Sequence, residues 1–261
     1  FDGDGKSDIS VYRSGEWHLL QSASGYAAVN FGLSTDKLTP ADFDGDGKTD
    51  ISVYRDGTWY LLRSTAGFGS IQFGLAEDIP QPADYDGDGK AEIAVFRPSS
   101  GVWYIYNLAT TQTGIVQFGL AEDKPVAADF TGDGRAEIAV WRPSTGDWYH
   151  LNLANNQTGV IHFGQTGDIP VIGDYDGDGR TDFAVFRSGT WYLQKSTEGF
   201  GAVQFGLAGD IPTPADFDGD GKTNISVFRS GVWYYLNAAN GAVIQQFGLS
   251  GDEPVQSAFV R

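Results

Sequence analysis

An acidic nine-residue segment recurs along the chain. It reads DFDGDGKTD from Asp42, DYDGDGKAE from Asp84, DFTGDGRAE from Asp129, DYDGDGRTD from Asp174 and DFDGDGKTN from Asp216, and the chain opens inside a further copy, FDGDGKSD. Carboxylates at alternate positions 1, 3 and 5 of the segment converge on one point when the backbone curls tightly, and two Gly per copy supply the positive φ that such a curl needs. Position 7 can add its backbone carbonyl and position 9 a further side chain. Six to eight oxygen ligands of this kind suit a hard cation, calcium above all, because magnesium demands a stricter octahedron and keeps more of its water. The chain has no Cys and no Met to recruit a soft metal. The segment starts like an EF-hand loop, but its last acid stands at position 9 instead of 12.

The expected ligands follow copy by copy. Three copies carry all four acids and are expected to bind most strongly: Asp42, Asp44, Asp46 and Asp50 with the carbonyl of Lys48; Asp84, Asp86, Asp88 and Glu92 with that of Lys90; and Asp174, Asp176, Asp178 and Asp182 with that of Arg180. Two are expected to be weaker. Thr131 replaces an acid beside Asp129, Asp133, Glu137 and the Arg135 carbonyl, and Asn224 ends the loop of Asp216, Asp218, Asp220 and Lys222. The opening copy keeps Asp2, Asp4, Lys6 and Asp8, but its first position falls before Phe1 or is taken by Ala258, which has no ligand atom. Up to six calcium sites are therefore expected, the first being the poorest. The six loops hold 21 of the 34 acids, so the formal charge of -17 is concentrated in them. Five bound calcium ions would reduce it to about -7. Crowded carboxylates repel one another without a cation, so binding is expected to be coupled to folding.

The elements that carry these loops are set by the repeat, whose steps are 42 or 45 residues. Each unit runs through the loop, an ISVYR-like run, a Trp-aromatic run, an FG dipeptide, then Asp, Pro and a short apolar stretch. The runs are short, β-branched or aromatic, and bounded by Gly, Asp, Ser or Pro, which reads as strand. No helical period is sustained. The second unit divides into strands near 38–43, 50–55, 58–64 and 70–73. Four-stranded units at this period predict an all-β, six-bladed β-propeller of antiparallel blades, a single domain over 1–261. The segment Pro254 to Phe259 matches Pro212 to Phe217, so the C-terminal strand is expected to complete the N-terminal blade and close the ring. Exchange of that strand between copies is the alternative, which would assemble a cell-surface filament.

Loop and repeat together resemble the FG-GAP or VCBS repeats of integrin α-subunit propellers and many secreted bacterial proteins. The resemblance implies calcium in the loop between the first and second strands of each blade. Integrin propellers have seven blades, so six departs from their pattern. From it we expect an extracellular or cell-surface, calcium-binding interaction or adhesion module with a protein or glycan partner. An accessory carbohydrate-binding domain of a larger secreted enzyme is a further alternative. Nucleic acid is not expected, since 17 Lys and Arg are scattered among 34 acids. Neither is membrane insertion, because no apolar run approaches the roughly 18 residues of a spanning helix.

The remaining periodic residues read as structural. Arg13, Arg55, Arg97, Arg142, Arg187 and Arg229 end the second strand of each unit and are expected to bond a nearby carboxylate or carbonyl. Asp36, Asp78, Asp123, Asp168, Asp210 and Asp252 recur at one place in the unit, two positions before a Pro in all but Asp36, which precedes Leu38, and are expected to fix a turn. One Trp per unit is expected in the core between blades. Trp141 is an extra one and the aromatic singled out for sugar stacking. His18, His150 and His162 fall at different places in their units and make no nucleophile-elbow pattern, so catalysis is not expected.

Overall fold

The computed structural model describes residues 1–255; Ala258 and Phe259, which entered the reading of the first loop and the last strand, lie outside the described residues. Every regular element is a strand. The first blade holds β1 (Ile9–Arg13), β2 (Glu16–Gln21) and β3 (Gly25–Asn30), and the second β4 (Lys37–Leu38), β5 (Ile51–Arg55), β6 (Thr58–Arg63) and β7 (Gly67–Gln72). The third holds β8 (Ile79–Pro80), β9 (Ile93–Arg97), β10 (Val102–Tyr106) and β11 (Thr113–Gln117). The fourth holds β12 (Lys124–Pro125), β13 (Ile138–Arg142), β14 (Asp147–Leu151) and β15 (Thr158–His162). The fifth follows as β16 (Ile169–Pro170), β17 (Phe183–Arg187), β18 (Thr190–Lys195) and β19 (Gly199–Gln204). The last is β20 (Ile211–Pro212), β21 (Ser226–Arg229), β22 (Val232–Leu236) and β23 (Ala242–Gln246), after which β24 (Glu253–Val255) returns to pair with β1.

The architecture is thus a six-bladed β-propeller of four-stranded antiparallel sheets, with the C-terminal strand completing the N-terminal blade. The pairing register sets Tyr12 opposite Glu253 and Ser10 opposite Val255. Among the described residues no helix is long and apolar enough to cross a membrane.

Strand limits differ from the sequence reading at both edges of a blade. The innermost strand of the second blade spans only Lys37–Leu38, as short as its counterparts in the fourth and fifth blades, which carry Ala127 and Ile172 where this one has Pro40. Pairing persists through the Thr39 N–H to the Ser52 carbonyl and resumes at an Ala41–Asp50 bridge. The outermost strand begins earlier than expected, at Gly67, since two Gly that resemble a turn lie within an exposed edge strand.

The chain divides into two compact units, one holding the second, third and fourth blades and the other the first, fifth and sixth. In the former, Trp103, Phe96 and Ala94 of the third blade pack with Ile138 and Val140 of the fourth. In the latter, Trp191 and Phe186 pack with Ile225 and Val227, and Trp233 and Phe228 with Val11. Each of these cores lies between consecutive blades and is made by the second and third strands.

The Trp and FG repeats prove to be one device. The indole N–H of Trp17, Trp59, Trp103, Trp148, Trp191 and Trp233 donates to the carbonyl of Phe31, Phe73, Phe118, Phe163, Phe205 and Phe247 respectively, at 2.7–3.1 Å. Every indole is buried, so its one donor needs such an acceptor. The Gly after that Phe takes φ between 107° and 128°. A Cβ on Gly119 would press within 3.0 Å of Phe96, so both conformation and space demand Gly.

Trp141 is also fully buried, and its Nε1 has no hydrogen-bond partner. It presents no face to a sugar. Among the described residues, the exposed large aromatics are Tyr26, Phe68 and Phe200 on the outermost strands.

The two remaining periodic sets meet each other. Arg55 grips Asp36 through Nε and Nη2 at 2.6 Å each, and Arg97 grips Asp78, Arg142 Asp123, Arg229 Asp210 and Arg13 Asp252 in the same forked way. The guanidinium also stacks on a Tyr, as Arg97 does on Tyr104 at 4.4 Å. Asp78 keeps its turn role, accepting the Leu75 N–H at 2.9 Å. A bidentate pair satisfies a buried carboxylate that would otherwise be costly.

Candidate metal centres

Each loop is curled by its own first residue. Asp84 accepts the Gly87 N–H on Oδ1 at 2.6 Å and the Gly89 N–H on Oδ2 at 2.8 Å, and Asp129, Asp174 and Asp216 repeat the pattern. Those two Gly have φ near +80°, which an L side chain resists. The ninth residue closes the curl from beneath. Asp50 accepts the Phe43 N–H and the Ser64 N–H, and Asp182 those of Tyr175 and Ser196. Glu92 and Glu137 likewise accept the Tyr85 and Phe130 N–H groups, and use their extra methylene to reach the side-chain amides of Asn107 and Asn152 where Asp50 and Asp182 take a Ser N–H.

These curls bring acids together. One oxygen each from Asp42, Asp44 and Asp50 lie within 4.8 Å of one another, as do oxygens of Asp84, Asp86 and Glu92 and of Asp174, Asp176 and Asp182. Asp129, Asp133 and Glu137 form the fourth such cluster, where Thr131 bonds Glu137 at 3.1 Å, and Asp216, Asp218 and Asp220 the fifth, where Asn224 bonds Asp218. Oxygens on opposite sides of a calcium ion stand roughly 5 Å apart, so the spacing fits.

The fifth-position acids of the full loops lie to one side. Asp46 accepts the Ser64 and Thr65 hydroxyls, and Asp178 those of Ser196 and Thr197, which hold the Asp178 carboxyl below its ordinary range. The backbone carbonyls of Lys48, Lys90, Arg135, Arg180, Lys222 and Lys6 stand at the seventh position of their loops, one residue past the second Gly. In the first loop Asp4 takes the Ser22 hydroxyl and Asp8 the Ser22 N–H. Its acids are not among the five clusters.

The donors after the third strand of the blade were missed by sequence reasoning. Ser22, Ser64, Asn107, Asn152 and Ser196 follow that strand and donate to acids of the loop, while Asn237 at the same place accepts the Ala239 and Gly241 N–H groups on Oδ1. A Ser or Asn in a turn reads as turn chemistry; only its recurrence in six units could have pointed to the acids.

The third-position carboxylates show whether a cation fits. Asp44 Oδ2 accepts the Thr65 and Ala66 N–H groups, while Asp44 Oδ1 is buried with no partner. Asp176 is alike: its Oδ2 takes the Thr197 and Glu198 N–H groups and its Oδ1 has none. An ionised oxygen sealed in this way is costly unless something positive meets it. In the last loop the Asn224 amide donates to Asp218 Oδ1 at 3.3 Å, occupying part of that need. The residues therefore fit a hard cation, best in the Asp42 and Asp174 loops.

Titration supports the same chemistry. Burial, reinforced by Asp44 and Asp42, pushes the Asp50 carboxyl up to about 6; burial likewise raises Asp182 to about 6 and Glu92 to about 7. A carboxyl that holds its proton more tightly folded than unfolded destabilises the fold as pH rises through its folded value. We therefore expect the chain in chelator to gain melting temperature as pH falls from 7.5 to 5. With calcium present the slope should reverse, because protons compete for the same oxygens. Thermal melts at both pH values with and without chelator check this; curves of equal slope would contradict it.

Fold and site together define a β-propeller whose blades carry carboxylate loops of calcium-ligand spacing. The chain belongs to the FG-GAP-like repeat family, whose profile matches residues 42–95, 84–140 and 129–185. Among curated proteins none matches. Among solved structures, an Agrocybe aegerita lectin described by its specific recognition of non-reducing terminal N-acetylglucosamine aligns with 98% of this chain and 96% of its own, at 15% identity and TM-score 0.64. BBS1N in complex with ARL6DN aligns over 98% and 85%, at 11% identity and 0.55. A streptogramin B lyase does so over 96% and 85%, at 8% identity and 0.60. Likeness at these identities is one of fold.

Proposed function

We propose that the protein is a calcium-stabilised, non-catalytic interaction module of the extracellular space or cell surface, with a protein or glycan as partner. The observation that carries the calcium reading is the pair of buried, unpartnered oxygens on Asp44 and Asp176 inside clusters of three acids. Millimolar calcium outside cells suits loops of this openness. Support for binding comes from the outer strands, where Tyr26, Phe68, Ile115, Val160, Phe200 and Ile244 are each more than three-fifths exposed, one per blade. The non-catalytic reading rests on the histidines, which serve separate local contacts: His18 bonds Tyr26, His162 pairs with Asp147, and His150 packs on Phe130.

A glycan array and an extracellular-protein pull-down, each run in calcium and in chelator, test the proposal. We expect retention of a partner in calcium that is lost on exchanging Phe68 and Phe200 for Ser, changes that leave the cores untouched. Turnover of a bound glycan would overturn the non-catalytic reading, and binding that ignores both calcium and these residues would overturn the rest.

A further inference from the structure

The loops are not separate pockets. The carbonyl of Asp42, whose carboxylate opens one cluster, accepts the Ala91 N–H at 2.7 Å, and Ala91 immediately precedes Glu92 of the next cluster. The Asp84 carbonyl takes the Ala136 N–H at 2.7 Å, next to Glu137. In the other unit the Asp174 carbonyl takes the Thr223 N–H and the Asp216 carbonyl the Ser7 N–H, both at 2.6 Å. Each bond joins the first ligand residue of one loop to the peptide just before the ninth residue of the following loop.

A second strut runs beside each bond. The stem of Lys90 lies over Gly45, so that a Cβ there would come within 2.9 Å of Lys90 Cγ. Arg135 covers Gly87, Lys222 covers Gly177 and Lys6 covers Gly219, each at 3.0 Å. The first Gly of a loop is therefore needed for close approach as well as for its positive φ. It also explains the basic residue at position 7 in these copies: the carbonyl of Lys90, Arg135, Lys222 or Lys6 belongs to its own loop while its side chain braces the preceding one.

From this geometry we propose that, within each compact unit, a cation site is completed by the following blade, so that calcium at one loop raises the affinity of its neighbour. The idea rests on the calcium reading above. A cation drawing Asp84 into place fixes its peptide, and through the Ala136 N–H it fixes the approach of Glu137; loss of order in either loop is felt by the other. Coupling of this kind is reciprocal, and a chain of bonded peptides in a partly buried setting strengthens it.

The test is a calcium chloride titration of the full chain followed by hydrogen exchange, reading a protection midpoint for the peptides of each loop. Asp86→Asn disables the middle loop of three. We expect the midpoints of the Asp42 and Asp129 loops, whose own residues are intact, to move to about fivefold higher calcium or more. Lys90→Ala retains every acid and carbonyl, and should shift the Asp42 loop by more than its own. Neighbour midpoints that stay within about twofold of wild type in Asp86→Asn, or a Lys90→Ala effect confined to its own loop, overturn the coupling. Absence of calcium-dependent protection in any loop of the wild-type chain would instead sink the calcium reading beneath it.

Discussion

In saturating calcium the protein is expected to melt on the order of 20 °C above the same chain in excess chelator. Each loop filled at a hundredfold over its dissociation constant contributes about 2.7 kcal/mol to the folded state, and a domain of this size moves roughly 2–4 °C per kcal/mol. The gain is largest where charge is least met. Asp44 Oδ1 and Asp176 Oδ1 have no donor at all, whereas Asp218 Oδ1 already receives the Asn224 amide, so disabling the Asp42 or Asp174 loop should cost more than disabling the Asp216 loop. Magnesium should restore only part of the loss, since a cluster fed by hydroxyl and amide donors leaves little room for the waters it retains. Differential scanning fluorimetry of metal-stripped protein, with calcium or magnesium returned, measures all three effects. A melt indifferent to chelation would sink the calcium reading.

Two tryptophans of the fourth blade should differ sharply in what their substitution costs. Trp148→Ala removes a fully buried indole and leaves the Phe163 carbonyl without its 2.7 Å donor, so a loss of about 4 kcal/mol or more is expected. Trp141→Phe should cost under about 1.5 kcal/mol, because the smaller ring discards a buried N–H that bonds nothing. The repeat supports the latter substitution: Phe96, Phe186 and Phe228 fill the equivalent place in other blades. Urea denaturation of both variants in calcium compares them directly. Equal losses would mean that the indole N–H bond to the FG carbonyl contributes little.

The blades were legible in the sequence because a 42- or 45-residue repeat leaves few architectures, and the acidic loops because Gly and Asp alternate in every copy. What sequence could not show was partnership across space. Arg97 and Asp78 stood in two separate periodic sets 19 residues apart, and only the strand register reveals that one grips the other. The serine and asparagine donors were hidden for a similar reason, since Ser64 lies 18 residues from the Asp46 carboxylate it bonds. Trp141 could not be placed from sequence, because an extra aromatic in a strand says nothing about which face it occupies; the structure buries it. The loops' inner geometry was legible only in part: spacing brings the acids near one another, but whether a given oxygen faces its cluster or a hydroxyl depends on the next hairpin.

Closure of the first blade also sets an order of assembly. Ser10 and the Val255 carbonyl that its hydroxyl reaches are separated by 245 residues. A ribosome adding about 5–20 residues per second leaves β1 with a bare edge for on the order of ten seconds or more, while later blades can already pair within themselves. During that interval the nascent chain offers a ready template to any unpaired strand nearby. Of the six blades, the one that starts forming first is therefore the one finished last, and its open edge is the surface a chaperone would have to cover longest.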